Sequence, residues 1–469
     1  MSTTATILDA ISADASTGRP IPDAATREII GYAPEHTVAD LDAAIAAAKA
    51  AQPAWAALSH EERSTILHAI ADDIEANAEE LAQILSREQG KPLDGPNARF
   101  EVGACAVWTR SAADTVLEPE VVFEDGAARA EIHYDALGVV GAIGPWNWPM
   151  MITVWQVAPS LRMGNAVVVK PSEFTPLSVM ALMEIFTRHL PDGLLTVISG
   201  GRDVGAAMAA HSGLDKIMFT GSTATGRKIV ESSAHNLARL TLELGGNDAG
   251  IVLPDTDMSG MMEDLFWGCF INTGQTCAAL KRLYVHESVY DDVVEGLAAM
   301  AAQMPMGPGL AGGNVLGPLQ NEKQFQIVSD LVEDAKSRGA RVVVGGEPAA
   351  DLGPLFYRAT VVADIDDGAR LVDEEQFGPA IPVIKYSDVD DAVRRANASE
   401  QGLGASVWSN DPDEAFKVAT RLQAGTVWVN GHGGLNPAVP FGGTKASGYG
   451  KEFGAHGLKA VASPKVISR

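Results

Sequence analysis

Glu243 and Cys277 lie 34 positions apart, each close to glycine: Leu-Thr-Leu-Glu-Leu-Gly-Gly-Asn runs from Leu240 to Asn247, and Asn-Thr-Gly-Gln-Thr-Cys from Asn272 to Cys277. Glycine lets backbone N–H groups and a small ligand come close, and a thiol needs a proton acceptor nearby to act as a nucleophile near neutral pH. So placed, the thiol and the carboxylate are candidates for a nucleophile and a base acting on one small molecule. Lys170 and Glu173, in Lys-Pro-Ser-Glu, put an ammonium and a carboxylate where both could hydrogen-bond ribose hydroxyls. Gly221 to Gly226 has the spacing Gly-x-x-x-x-Gly at the opening of a helix through Arg227 and Ile229, which would turn free N–H groups toward pyrophosphate. It lacks the Gly-x-Gly-x-x-Gly fingerprint and the Lys-Ser/Thr of a P-loop. Taken alone, Lys170 and Glu173 also fit a solvated surface pair, and Gly221 a simple turn.

These residues need elements to position them. The first hundred residues read as helices: Val38, Leu41 and Ile45 share a face after Thr37, and Ser59-His60-Glu61-Glu62 is a capping box before Ile66, Ile70 and Ile74. From Gly138 short apolar runs alternate with helical patterns, and 138–143, 166–169, 195–199 and 216–219 read as buried strands. That alternation implies a parallel sheet covered by helices, with Lys170 at a strand end where such sheets bind ligands. A second α/β region follows Gly246, with strands at 249–253 and 341–344 and a helix at 321–337 ended near Gly339. Residues 117–134 alternate apolar and polar side chains outside either pattern.

Composition narrows the partners. With 35 basic and 60 acidic side chains the formal charge is -25, which disfavours nucleic acid and anionic membrane surfaces. Residues 136–161 carry no charge, but Pro145, Pro149 and Pro159 are expected to interrupt any helix there, leaving a buried strand that runs into a loop. Three cysteines are too few for a disulfide framework; with no signal-peptide pattern at the N-terminus, the cytoplasm is expected. Cys105 and Cys269 sit among apolar neighbours and read as core, and the ten histidines show no metal-ligand spacing, so no metal is expected.

Together with Pro-Trp-Asn-Trp-Pro (Pro145 to Pro149), Lys-Pro-Ser-Glu (Lys170 to Glu173), Phe-Thr-Gly-Ser (Phe219 to Ser222), Glu-Gln-Phe-Gly-Pro (Glu375 to Pro379) and Pro-Phe-Gly-Gly (Pro440 to Gly443), the two opening segments resemble the non-phosphorylating NAD(P)-dependent aldehyde dehydrogenase superfamily. Order and approximate spacing match over nearly the whole chain. The resemblance implies an α/β fold with a Rossmann-like NAD-binding domain (1–116 and 135–245), a second α/β catalytic domain (246–445) and a small β oligomerisation arm (117–134 and 446–469). It implies cofactor contacts from Trp146, Lys170, Ser172, Glu173, Gly221, Ser222, Leu244, Glu375 and Phe377. Gln376 departs from the aliphatic residue the family often has there. The aldehyde tunnel would be lined by Trp148, Trp155, Thr276, Leu435 and Phe441. Glu173 would repel a 2′-phosphate, so NAD is expected over NADP. A homodimer or homotetramer is implied, its arm adding a strand to a neighbouring subunit.

In such an enzyme a Cys277 thiolate adds to the aldehyde, hydride leaves to NAD, and the thioester is hydrolysed by water that Glu243 activates. Free cysteine has a pKa of about 8.5, and the positive ring of bound nicotinamide or local hydrogen bonds are expected to raise the thiolate fraction. The Asn147 amide and the Cys277 N–H would form an oxyanion hole, where one donor is worth ~3 kcal/mol; the local sequence also fits Asn147 as a turn cap. Glu452 either passes the proton outward, as the resemblance implies, or is a surface glutamate near a helix start. Relatives that transfer the acyl group to coenzyme A generally lack a carboxylate at the Glu243 position, which favours hydrolysis. The apolar tunnel, widened where Leu435 replaces a second aromatic, favours broad-range aliphatic or aromatic aldehydes over betaine-type aldehydes or semialdehydes. A non-redox thiol esterase and a catalytically silent homologue are the rivals from other classes.

Overall fold

The computed structural model describes residues 6–469; residues 1–5, which belong to the predicted first domain and to the N-terminal reading above, lie outside the described residues. Ser59 opens the helix His60–Ala76 with the predicted reciprocal cap: its hydroxyl accepts from Glu62 N at 3.1 Å, and the Glu62 carboxylate accepts from Ser59 N at 2.7 Å. Thr37 does the same for Val38–Ala56, where Leu41 and Ile45 are buried but Val38 is exposed. The all-helical reading of this region fails at Arg19–Pro22 and Ile29–Ala33, which form an antiparallel hairpin. Pro20 and Pro22 argue against a strand by sequence, yet a two-stranded ribbon has open edges that tolerate a missing N–H.

A six-stranded sheet follows, in the order Gly448–Tyr449, Arg239–Glu243, Lys216–Thr220, Val139–Ile143, Ala166–Lys170, Leu195–Val197. A seven-stranded sheet runs Arg341–Val344, Thr360–Ile365, Ala380–Tyr386, Leu280–His286, Asp248–Val252, Gly404–Trp408, Thr426–Val429. The predicted strands form, with ends shifted by a residue or two. Both sheets are parallel except at one edge, where Gly448–Tyr449 and Arg341–Val344 pair antiparallel. Neighbouring residues of the second sheet feed opposite cores: Ile251 packs with Tyr284 and Ile384, Val252 with Leu283 and Val383. Helices therefore cover both faces, as near-continuous apolar strands require.

The prolines of the uncharged stretch do not prevent a helix. Pro149–Arg162 is helical, with Pro149 at its first position, where no N–H is needed, and Pro159 in its last turn. Among the described residues no helix is long and apolar enough to cross a membrane. The alternating stretch pairs with the chain's end: Glu120–Glu124, Arg129–Ala136 and Ala462–Ser468 make a three-stranded antiparallel sheet.

Candidate active site

Register brings Glu243 and Cys277 together. Glu243 ends its strand in the first sheet, and the chain enters the second at Asp248, which pairs with Leu280. Cys277 precedes Leu280 by three residues and Glu375 precedes the next strand, Ala380–Tyr386, by five, so all three stand where the two sheets face each other. The intervening glycines are dictated by crowding: a Cβ at Gly245 would lie 2.4 Å from the Glu375 carboxylate, and one at Gly246 2.5 Å from the Cys277 carbonyl oxygen.

The loop before the thiol is bent hard. Asn272, Thr273 and Gly274 have φ of 51°, 56° and 74°, and the first two are left-handed without being glycine. Such strain persists only where surroundings hold it. Thr273 Oγ1 accepts from Gly317 N at 2.9 Å, and Asn272 Nδ2 donates to the Asn147 carbonyl at 2.8 Å. The Asn147 side chain donates to Gln275 O at 3.0 Å, a residue far along the chain, so it ties two loops together and is not a local turn cap. Its amide has a second hydrogen free for a substrate oxygen.

Three buried groups that the sequence reading missed support this arrangement. Lys91 Nζ donates to Asn147 O at 2.8 Å and to Glu101 at 2.5 Å, and lies over the Trp148 ring at 3.5 Å. Glu101 accepts from Met150 N and Met151 N at the start of the Pro149–Arg162 helix. Lys281 Nζ donates to Thr276 O at 2.9 Å and Cys277 O at 2.5 Å and reaches Glu375 at 3.3 Å. Its charge does not activate the thiol enough: burial pushes Cys277 up to about 12, Lys281 opposes, and Glu243 and Glu375 add to the rise. In the chain alone the Lys281 charge favours the thiolate, but burial outweighs it.

Glu243 and Glu452 are both buried, and no carboxylate oxygen of either has a hydrogen-bond partner among the described residues. The surface reading of Glu452 fails. Its backbone bridges Phe441 in both directions, folding it beneath the Gly448–Tyr449 strand that pairs with Glu243 and Leu242. Burial, then the Glu452 charge, hold the Glu243 carboxyl well above the usual range; burial raises Glu452 to about 8. Lys216, itself buried and lowered to about 8, opposes the rise at Glu452 and donates to Thr241 Oγ1 at 2.8 Å.

The candidate cofactor residues gather along the carboxyl edge of the first sheet. Lys170 is buried, so it is not half of a solvated surface pair; its Nζ donates to Pro171 O at 3.2 Å, while Glu173 is exposed. Ser172 Oγ accepts from Phe174 N. Gly221 lies under the Phe219 ring, and Ser222 caps the helix Thr223–Ser233 by accepting from Thr225 N. Leu244 N donates to Ser447 O. Trp146 and Phe377 meet edge to face, centroids 5.3 Å apart, and Glu375 accepts from Gly246 N at 3.1 Å. Gln376 is buried, donating to Lys281 O and Ala380 O, a structural role that its aliphatic counterpart could not fill. The Ser222 helix start and the Lys170 ammonium stand at strand ends one strand apart in the same sheet, and with an anchored carboxylate and two aromatic rings they are groups of the kind a dinucleotide takes.

The tunnel candidates divide into two groups. Trp148 donates from Nε1 to Thr276 Oγ1 at 2.9 Å and touches Phe100. Trp155 and Phe441 instead belong to an aromatic cluster with Trp108 and Phe453, two residues the motifs did not point to. Leu435 stands partly buried against the same core as Cys277. Cys105 and Cys269 are buried, and the described residues hold no group of three or more potential metal ligands among His, Cys, Asp and Glu.

Two largely parallel sheets joined beside a thiol and a buried carboxyl, with candidate dinucleotide contacts along one strand edge, define an α/β protein of enzyme type. The aldehyde dehydrogenase family model matches residues 11–467. Aldehyde dehydrogenase LUC3 of Fusarium sp is 38% identical over 446 residues, 95% of this chain and 94% of that one. An aldehyde dehydrogenase from Bacillus cereus, solved as its NAD+ complex, superposes with a TM-score of 0.93 at 35% identity, covering 98% of this chain and 94% of that one. An Escherichia coli NADP-dependent enzyme gives 0.94 at 33%, covering 98% and 96%. The chain belongs to the aldehyde dehydrogenase family.

Proposed function

We propose that this enzyme oxidises neutral aliphatic or aromatic aldehydes to carboxylic acids with NAD, through a thioester on Cys277. NAD held by Lys170, Glu173, Ser222, Glu375 and Phe377 would supply the hydride acceptor and a positive ring close to the thiol. Cys277 Sγ bonds to the aldehyde carbon, and the charge that moves to oxygen is received by the Asn147 amide. Once hydride has left that carbon, the thioester remains. Glu243 takes a proton from water as its oxygen bonds to the acyl carbon, the C–S bond breaks, and the sulfur leaves as thiolate. Glu452 then receives the proton from Glu243.

The observation that carries this reading is the Glu243 carboxyl, buried without a hydrogen-bond partner among the described residues and three residues before Gly246, which packs on the Cys277 carbonyl. An esterase would have no use for the candidate dinucleotide contacts, and a silent homologue would not keep strained backbone at the thiol. Glu173 favours NAD, since its carboxylate would face a 2′-phosphate. The test is Glu243→Gln, which forms about one NADH per site and then nearly stalls, because acylation survives and deacylation fails. Undiminished steady turnover overturns it.

A further inference from the structure

Gly431-His432-Gly433-Gly434 leads from the Thr426–Val429 strand to Leu435. Three glycines leave that backbone little to hold it, and a Cβ at Gly431 or Gly434 would meet nothing within 4 Å. Yet the segment runs beside the nucleophile loop, a Cβ at Gly433 falling 3.4 Å from the Ala278 carbonyl oxygen. His432 supplies its one side chain, and that side chain and Asp248 opposite are each 0% exposed. His432 Nε2 is 3.6 Å from Asp248 Oδ2, and Nδ1 is 3.0 Å from Ser406 Oγ.

Trp408 Nε1 donates to the same Ser406 oxygen at 3.0 Å. Ser406 Oγ thus joins the Trp408 indole and the His432 ring in one buried network, accepting from the first and sharing a hydrogen bond with Nδ1 of the second. The imidazole also packs on Trp428, centroids 4.9 Å apart, and Trp428 Nε1 donates to Gly434 O at 2.8 Å. Asp248 occupies space that two glycines leave open: a Cβ at Gly404 or Gly246 would lie 2.3 or 2.7 Å from its carboxylate oxygens. None of these three polar side chains touches the reacting groups, although the Asp248 charge adds to the rise of the Cys277 thiol.

We propose that His432 is a positioning residue for aldehyde choice: bonded to Ser406, stacked on Trp428 and facing the Asp248 carboxylate, it fixes the glycine segment and, through it, Leu435 in the tunnel wall. The inference rests on the aldehyde-oxidising reading. A two-carbon aldehyde reaches Cys277 without leaning on that wall, whereas a bulky one is bound by it. Losing the anchor therefore acts on KM for bulky aldehydes and spares the bond-making steps.

The experiment compares acetaldehyde with phenylacetaldehyde in His432→Ala/Asp248→Ala, a pair chosen so that no buried charge is left alone. The expected result is a rise of about tenfold in KM for phenylacetaldehyde, with kcat for acetaldehyde within about threefold. Adding Gly431→Ala and Gly434→Ala, which stiffen the segment into open space, brings that KM back to within about threefold. Ser406→Ala moves KM the same way by a smaller factor and keeps the test open if the double variant does not fold. Equal changes for both aldehydes, no change in KM, or no rescue by the stiffened segment overturn the proposal. Failure of the underlying reading shows separately, as no aldehyde-dependent NADH formation in the unaltered enzyme.

Discussion

Glu243 and Glu452 are two buried like-charged groups that feel each other's charge, and such a pair does not ionise fully at neutral pH. Both carboxyls are raised, so the proton-accepting form of Glu243 grows as pH rises, and kcat limited by deacylation climbs with pH well above the usual carboxylate range. Glu452→Gln removes the like charge, lowers the Glu243 pKa and moves that climb to lower pH; an unmoved kcat profile would separate Glu452 from the base. Cys277 obeys the same sign. With burial holding the thiol up to about 12, iodoacetamide labels the cofactor-free enzyme slowly at pH 8 and faster as pH rises, and NAD accelerates labelling at fixed pH. A labelling midpoint at or below about 8.5 without NAD would contradict this. Glu243, Cys277 and Asn147 were legible because each stands in a string whose neighbours are as constrained as itself. Lys91, Glu101 and Lys281 were not: a lysine in sequence looks like a surface charge, and only the packing shows that Lys91 is 1% exposed and turned inward on a carbonyl.

At the scale of elements, the strand pair Asp248–Val252 and Leu280–His286 sets where thiol and base meet, and Gly246 lets the two loops close. Gly246→Ala forces a methyl into the Cys277 carbonyl and displaces the N–H that holds Glu375. The expected result is a loss of about 1–3 kcal/mol in stability, read by denaturant melts, and a fall in kcat larger than that loss explains. Normal kcat with a normal melt would mean that the loops have slack. Apolar runs bounded by turn residues made the buried strands readable. Their alternation with helices gave the parallel direction of the interior strands, but side-chain alternation is the same in a parallel and an antiparallel edge, and so the reversed strands at Gly448 and Arg341 came only with the structure.

For the whole molecule, the three-stranded sheet leaves Val121, Val122 and Phe123 on one edge and Val466 and Ile467 on the other about half exposed or more. An apolar open edge of that kind pairs with another chain. We expect a homodimer or homotetramer built through it, and Val121→Lys with Phe123→Lys to shift light-scattering mass to a smaller species at micromolar concentration. An unchanged mass would place the contact elsewhere. The pairing of Gly448–Tyr449 with the strand that ends at Glu243 also joins segments far apart in the chain. That loop closes at a high entropic cost, so the cover over Glu243 is expected to be among the later parts of the site to assemble during folding.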